Sequence, residues 1–119
     1  MKRILLRHLP DPRLEPDDPQ YAAALIDYRT LVEAALRNPL DRQTGATIPE
    51  MRQSIRVLDA LDRTEDEVLV LEDADWQHLK AKVEKMPWAM VDRRVLQFCD
   101  DIIDATDAVR DQEHANSHA

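Results

Sequence analysis

Residues 67–86, EVLVLEDADWQHLKAKVEKM, contain the change of pattern that decides the fold class of this chain. The opening EVLVL is rich in residues that favour β-strands. Acidic residues follow at positions 72, 73 and 75, where the unpaired amides and the dipole of a helix start favour anions. Helical spacing then relates four apolar residues, Trp76, Leu79, Val83 and Met86. The stretch therefore predicts a strand that leads directly into a helix, which Pro87 ends.

The preceding segment predicts a helix with a defined start. Thr47 and Glu50 match the capping box, in which a hydroxyl and a carboxylate satisfy backbone amides reciprocally. An apolar stripe follows and predicts the buried side: Ile48, Met51, Ile55, Leu58, and Leu61 or Asp62. The opposite side is expected to face water: Arg52, Arg56, Asp59 and Arg63.

The N-terminal third predicts a strand, a proline-rich segment and another helix. Residues 2–9 have strand character, and prolines at 10, 12, 16 and 19 then favour an extended chain. Asp18 before Pro19 is typical of a helix start, which predicts a helix over about 19–37. Its apolar stripe is Tyr21, Leu25, Tyr28, Val32 and Ala35.

A fourth helix is predicted over about 89–109, with an apolar row of Val95, Phe98, Ile102, Ala105 and Val109. The order is then β-α-α-β-α-α: an α+β, mostly α fold of about four helices with a short two-stranded ribbon. Two strands are marginal in water, so the ribbon must lie on the helices. We expect a single compact domain over 1–109 and a flexible polar tail over 110–119.

Composition excludes several classes of protein. The single glycine, Gly45, excludes phosphate-binding loops of the P-loop and dinucleotide types, which need several. The net charge of -8 argues against direct nucleic-acid binding. The lone Cys99 cannot form an internal disulfide and fits a bacterial or host cytoplasm. The apolar run in the opening MKRILLRHLP is too short for the core of a signal peptide or for a membrane span.

The whole negative excess lies in residues 64–119, which hold six basic and fourteen acidic residues, whereas residues 1–63 hold ten of each. Part of it follows helical spacing on the fourth predicted helix: Asp100, Asp104, Asp107 and Asp111, with Asp101 beside them. This row predicts a docking face for a protein partner with a basic patch. Two alternatives are an acidic mimic of nucleic acid that inhibits a host enzyme, and an ordinary solvated helix face.

Two further residues are candidates for partner binding. Trp88 and Met90 flank the turn between the third and fourth helices and would anchor a partner, or else cover the core. We expect no metal site, no cofactor and no enzyme activity, because no convergent ligand set or catalytic arrangement can be assembled. The sequence is also compatible with a homodimer, because five residues beside the main stripes widen the apolar faces of the helices: Leu31, Leu36, Val57, Leu96 and Ile103.

Several stretches together resemble small accessory proteins of tailed bacteriophages. They are MKRILLRHLP, LVEAALRNP, GATIPEMRQSIRVLDALD, EVLVLEDADWQHLKAKVEKMPW and VLQFCDDI. The likeness concerns the order of strands and helices over about residues 1–105. It includes no catalytic motif and does not point to one named family. It implies a phage protein acting in the host cytoplasm, in particle assembly or on a host target. The resulting hypothesis is a non-enzymatic, acidic, helical protein-interaction module, for example a phage accessory or tail-assembly protein. The alternative is an inhibitor or regulator of a host nucleic-acid enzyme that acts by acidic mimicry.

Overall fold

A computed structural model describes residues 1–107 of the chain. The strands are β1 (Lys2–Leu5), β2 (His8–Leu9), β3 (Ile26–Asp27), β4 (Val68–Leu71) and β5 (Thr106–Asp107). The helices are α1 (Tyr28–Arg37), α2 (Ile48–Arg63), α3 (Asp73–Lys85) and α4 (Arg93–Ile103). The predicted α+β, mostly α class and the β-α-α-β-α-α order are confirmed. The short strands β2, β3 and β5 are additional to that prediction.

The main sheet has the order β4-β1-β5, and both pairings are antiparallel. In β1 and β4, Ile4 lies opposite Leu69, and both side chains are buried against the helices. Val70 and Leu5 point to the other side and remain exposed. This alternation is the period of two expected for a sheet with one covered face. The ribbon of β1 and β4 therefore lies on the helices, as expected because two strands by themselves are only marginally stable in water.

The core joins all four helices to this covered face. The Tyr28 ring of α1 meets the Phe98 ring of α4 edge to face, with 5.0 Å between centroids. Trp76 of α3 donates its indole N–H to the carbonyl of Ile102, with 2.8 Å between the two atoms. The hydrogen bond satisfies the polar N–H group of the Trp76 side chain, while its ring fills the core.

The first helix begins nine residues later than its sequence predicts. Its N-cap is Asp27, which accepts a hydrogen bond from the amide of Arg29 at 3.1 Å, and the segment before it forms turns. Asp18 instead caps a local turn by accepting from the amide of Gln20. The reason is tertiary: β3 pairs with β2, and this pairing outweighs the helical periodicity of residues 19–25.

The fourth helix is shorter than predicted at both ends. Asp92 caps its start by accepting from the amide of Arg94, and Asp104 is the C-cap. The chain then turns so that Thr106 and Asp107 pair with β1 as an edge strand. A helix continuing to residue 109 would have lost that pairing. Val109 and the predicted tail lie outside the described residues.

The buried side of α2 is also different from the predicted one. Leu58 and Leu61 are buried as expected, together with Ser54 and Val57. In contrast, three residues of the predicted core stripe are exposed: Ile48, Met51 and Ile55. The capping box is half formed, because Thr47 accepts from the amide of Glu50, but the Glu50 carboxylate binds elsewhere.

Candidate functional site

The carboxylates predicted to form one row on the fourth helix do not share one helix. Asp100 and Asp104 lie at the end of α4 and are exposed, whereas Asp107 belongs to β5. Asp111 lies outside the described residues. The α4 carboxylates are therefore Asp100, Asp101 and Asp104, and the predicted four-residue row is wrong at Asp107.

Asp101 is engaged by the protein itself. Its carboxylate accepts a hydrogen bond from the Tyr28 hydroxyl at 2.5 Å, and the Arg7 Nε lies 4.0 Å away. Burial, together with this hydrogen bond, raises the pKa of Tyr28, so the phenol stays protonated and continues to donate. Asp101 thus joins α4 to α1.

The α4 carboxylates line a hollow of about 300 Å³ that also contains basic groups. Arg3 and Arg7 of the N-terminal segment contribute to its wall. Three carboxylates therefore face two guanidinium groups, and the local charge is nearly balanced. The hollow offers a basic partner less attraction than a row of four carboxylates would have offered.

Trp88 and Met90 occupy different environments. Trp88 is half-buried, and its ring packs edge to face on Phe98 with 5.8 Å between centroids, so it covers the core. Met90 is exposed. Cys99 is half-buried. Burial, followed by the charge of the nearby Asp100, raises the pKa of its thiol. A raised pKa disfavours the reactive thiolate.

Three apolar residues that the sequence pattern assigned to the core lie exposed on the outside of α2. Ile48, Met51 and Ile55, which we call the α2 apolar strip, are 67%, 54% and 48% exposed. With Arg52 and Arg56 they border a shallow hollow of about 520 Å³. Their spacing of three and four residues places them on one side of the helix, in adjacent turns.

Polar contacts between α2 and α3 explain why the strip faces outward. Lys82 of α3 donates to the Glu50 carboxylate at 2.6 Å and to the Asn38 carbonyl at 2.7 Å. One turn along α2, the Ser54 hydroxyl and the His78 ring nitrogen Nε2 lie 2.8 Å apart. We call these residues the polar seam: Glu50, Ser54, His78 and Lys82. The seam fixes which side of α2 meets α3, and the strip lies away from it.

The polar seam contains a serine–histidine pair, which is the arrangement of a nucleophile and its base. Here both side chains are buried between two helices, so a substrate would have no access to them. The neighbouring Asp75 carboxylate binds Arg56 at 3.4 Å. Burial, followed by the charge of Lys82, lowers the pKa of His78, which keeps the ring neutral as a hydrogen-bond partner. The geometry supports a structural role for the pair.

A groove also runs between the C-terminal half of α2 and the outer edge of β4. It consists of two adjoining hollows of about 430 and 440 Å³, and Arg63 and Val70 line both. We call it the β4 groove. Its other charged lining side chains are Arg56, Asp59, Glu65, Asp66, Glu72 and Asp75.

Comparison with protein-family models, curated proteins and solved structures finds no match. Within residues 1–107, no helix combines the length and apolar character that crossing a bilayer requires. The same part of the chain contains no group of three or more His, Cys, Asp or Glu side chains arranged to hold a metal ion. The candidate surfaces therefore have to be judged from their own chemistry.

The sequence pattern predicted neither the α2 apolar strip nor the β4 groove. One signal for the strip was available: α2 carries apolar residues on two sides, Ile48, Met51 and Ile55 on one, and Val57 and Leu61 on the other. A helix that is apolar on two sides either lies fully buried or exposes one of them. No comparable signal marks the groove, because it depends on which edge of β4 stays open.

Proposed function

We propose that this protein is a non-catalytic interaction module that binds another protein through the α2 apolar strip. The exposure of three large apolar side chains in adjacent helical turns carries this proposal. Single exposed apolar residues are ordinary, but contiguous ones rimmed by polar groups are typical of protein-binding surfaces. The spacing suits a helix of the partner, and the exposed Arg52 at the border suits a carboxylate on that helix.

The predicted basic patch of the partner remains part of the proposal. Asp100 and Asp104 are exposed and would attract it, with a strength reduced by the two arginines in the same hollow. Phage particle assembly, or action on a host target in the cytoplasm, would be one setting for such binding. Acidic mimicry of nucleic acid is the less supported alternative, since Asp107 lies in β5 and does not continue the carboxylate row of α4.

The test is affinity capture with the intact chain from its native source, followed by binding measurements on the captured partner. We expect Met51→Glu with Ile55→Glu to weaken binding at least tenfold. Leu96→Glu is the matched control, because Leu96 is also an exposed apolar residue on a helix. Equal binding by both variants would remove the strip from the proposal. A separate Asp100→Lys, Asp104→Lys variant measures the contribution of the α4 carboxylates.

A further inference from the structure

The outer edge of β4 carries backbone groups that β1 does not use. Leu6 donates its amide to the carbonyl of Glu67 at 2.7 Å, which continues the β1–β4 register by one residue pair. Hydrogen-bonded pairs alternate along antiparallel strands, so Leu69 and Leu71 bond to β1 and Val68 and Val70 do not. The N–H and C=O of Val70 therefore point away from β1, towards the β4 groove.

This edge is partly protected. Asp66 accepts a hydrogen bond from the amide of Val68 at 3.2 Å, which occupies one of the outward donors. Within residues 1–107, β4 pairs with β1 alone, and no side chain bonds to the amide of Val70. An unpaired strand edge is a template for another strand. The open part comprises the Val70 amide and the carbonyls of Val68 and Val70.

We propose that the β4 groove binds an extended, basic segment of a protein partner, which adds to the main sheet as a strand beside β4. This inference rests on the proposed function as an interaction module and names the recognition mode of a second surface. Strand addition would give affinity through the backbone groups at the open edge. The exposed Val70 side chain and the α2 wall of the groove would contact alternate side chains of the segment.

Charge complementarity decides which segment fits. The groove holds five carboxylates and two guanidinium groups, and Met1, whose terminal ammonium lies 3.7 Å from the Asp73 carboxylate, also lines it. Arg56 is shared between Glu72 at 3.8 Å and Asp75 at 3.4 Å, so it offers little to a ligand. Asp59 and Glu65 are exposed. An occupant with Lys or Arg residues is therefore favoured over a neutral or acidic one.

Two other occupants fit this charge poorly. A second copy of the chain would bring its own acidic groove and a net charge of -8. Residues 108–119 contain Arg110 against Asp111 and Glu113, so they are acidic as well. They also follow β5, which lies at the opposite edge of the sheet. The partner segment is thus expected to come from a different protein.

A random octapeptide display library, screened against the intact chain, is the first test. We expect enriched peptides to alternate β-branched or aromatic residues with Lys or Arg. A synthetic copy of one of them is then titrated against the wild type and Val70→Pro. Proline removes the outward amide without removing a bond to β1, and edge strands tolerate it. Binding should weaken at least tenfold, whereas Val70→Thr should bind within about threefold of the wild type.

Amide hydrogen exchange on the wild-type protein provides a second measurement that needs no variant. Peptide binding should slow exchange of the Val70 amide at least tenfold and leave the Leu69 amide unchanged. An unchanged Val70 amide, enrichment of acidic peptides or an empty selection would each overturn the inference. If the peptide instead loses binding only with Met51→Glu and Ile55→Glu, strand addition is wrong and the α2 apolar strip stands. Dimerisation through β4 would also overturn it.

Discussion

The strongest test of how α2 and α3 are joined is Lys82→Met. The Lys82 side chain is 2% exposed and the Glu50 side chain 10%. Methionine keeps the volume and removes the ammonium, which leaves the Glu50 carboxylate with the Leu40 amide at 3.0 Å and leaves the Asn38 carbonyl without its donor. Removing one partner of a buried ion pair costs about 3–5 kcal/mol of unfolding free energy.

Urea denaturation followed by circular dichroism measures this loss. For an m-value of about 2 kcal/mol/M, the midpoint should fall by roughly 2 M. Lys85→Met is the matched control: it makes the same substitution on the same helix at an exposed position, and it should change stability by less than about 0.5 kcal/mol. Equal midpoints for the two variants would refute the importance of the buried pair.

The pH dependence of the same variant supplies an independent check. Burial alone would raise the pKa of Glu50, but the hydrogen bonds from Lys82 and the Leu40 amide outweigh it and lower that pKa below 4.5. The wild type therefore loses this stabilisation as pH falls from about 4.5 through the lower folded-state value. In Lys82→Met the ammonium is gone and burial raises the pKa of Glu50. Protonation of Glu50 at low pH then removes the buried, unpaired charge that destabilises the variant. The difference between the proteins should shrink from pH 7 to pH 4, and adding Glu50→Gln should restore part of the stability at pH 7.

Two further predictions concern the other buried polar contacts. Tyr28→Phe removes the donor to Asp101 and should cost about 1.5 kcal/mol by urea denaturation, the lower end for a hydrogen bond to a charged group, because Asp101 is half-exposed; no loss of stability would contradict the link between α1 and α4. His78 has a folded-state pKa below 6.5, so the unfolded chain binds more protons and stability should decline as pH falls from about 6.5. His78→Gln should make the slope of unfolding free energy between pH 7 and pH 5 shallower, and an unchanged slope would assign it to other groups.

Much of the fold follows from local patterns. The strand-to-helix change after Leu71, the start of α2 at Thr47 and the end of α3 before Pro87 are all confirmed. Each depends on residues adjacent in sequence: capping side chains, β-branched runs and prolines. The partial failure of the first helix has the opposite origin. Its start is fixed by pairing between β2 and β3, and two-residue strands leave no periodic signal.

The candidate site was less predictable for a physical reason. Exposed and partly buried carboxylates look alike in a helical pattern, so Asp101 could not be told apart from Asp100. Its inward position depends on the Tyr28 hydroxyl, 73 residues away in sequence. The predicted homodimer faces show the same limitation. Leu36 and Val57 belong to the protein's own core, whereas Leu96 is exposed, and nothing local distinguishes them.

The orientation of α2 connects the polar seam to the proposed function. Turning the helix to bury Ile48, Met51 and Ile55 would remove those side chains from water but would move the buried Val57 and Leu61 out of the core. The protein instead directs Glu50 and Ser54 towards Lys82 and His78 of α3. Buried ion pairs give little net stability compared with apolar packing but are costly to break, so they fix an orientation more than they strengthen it. The seam thus holds the α2 apolar strip in water, where the proposed partner would bury it.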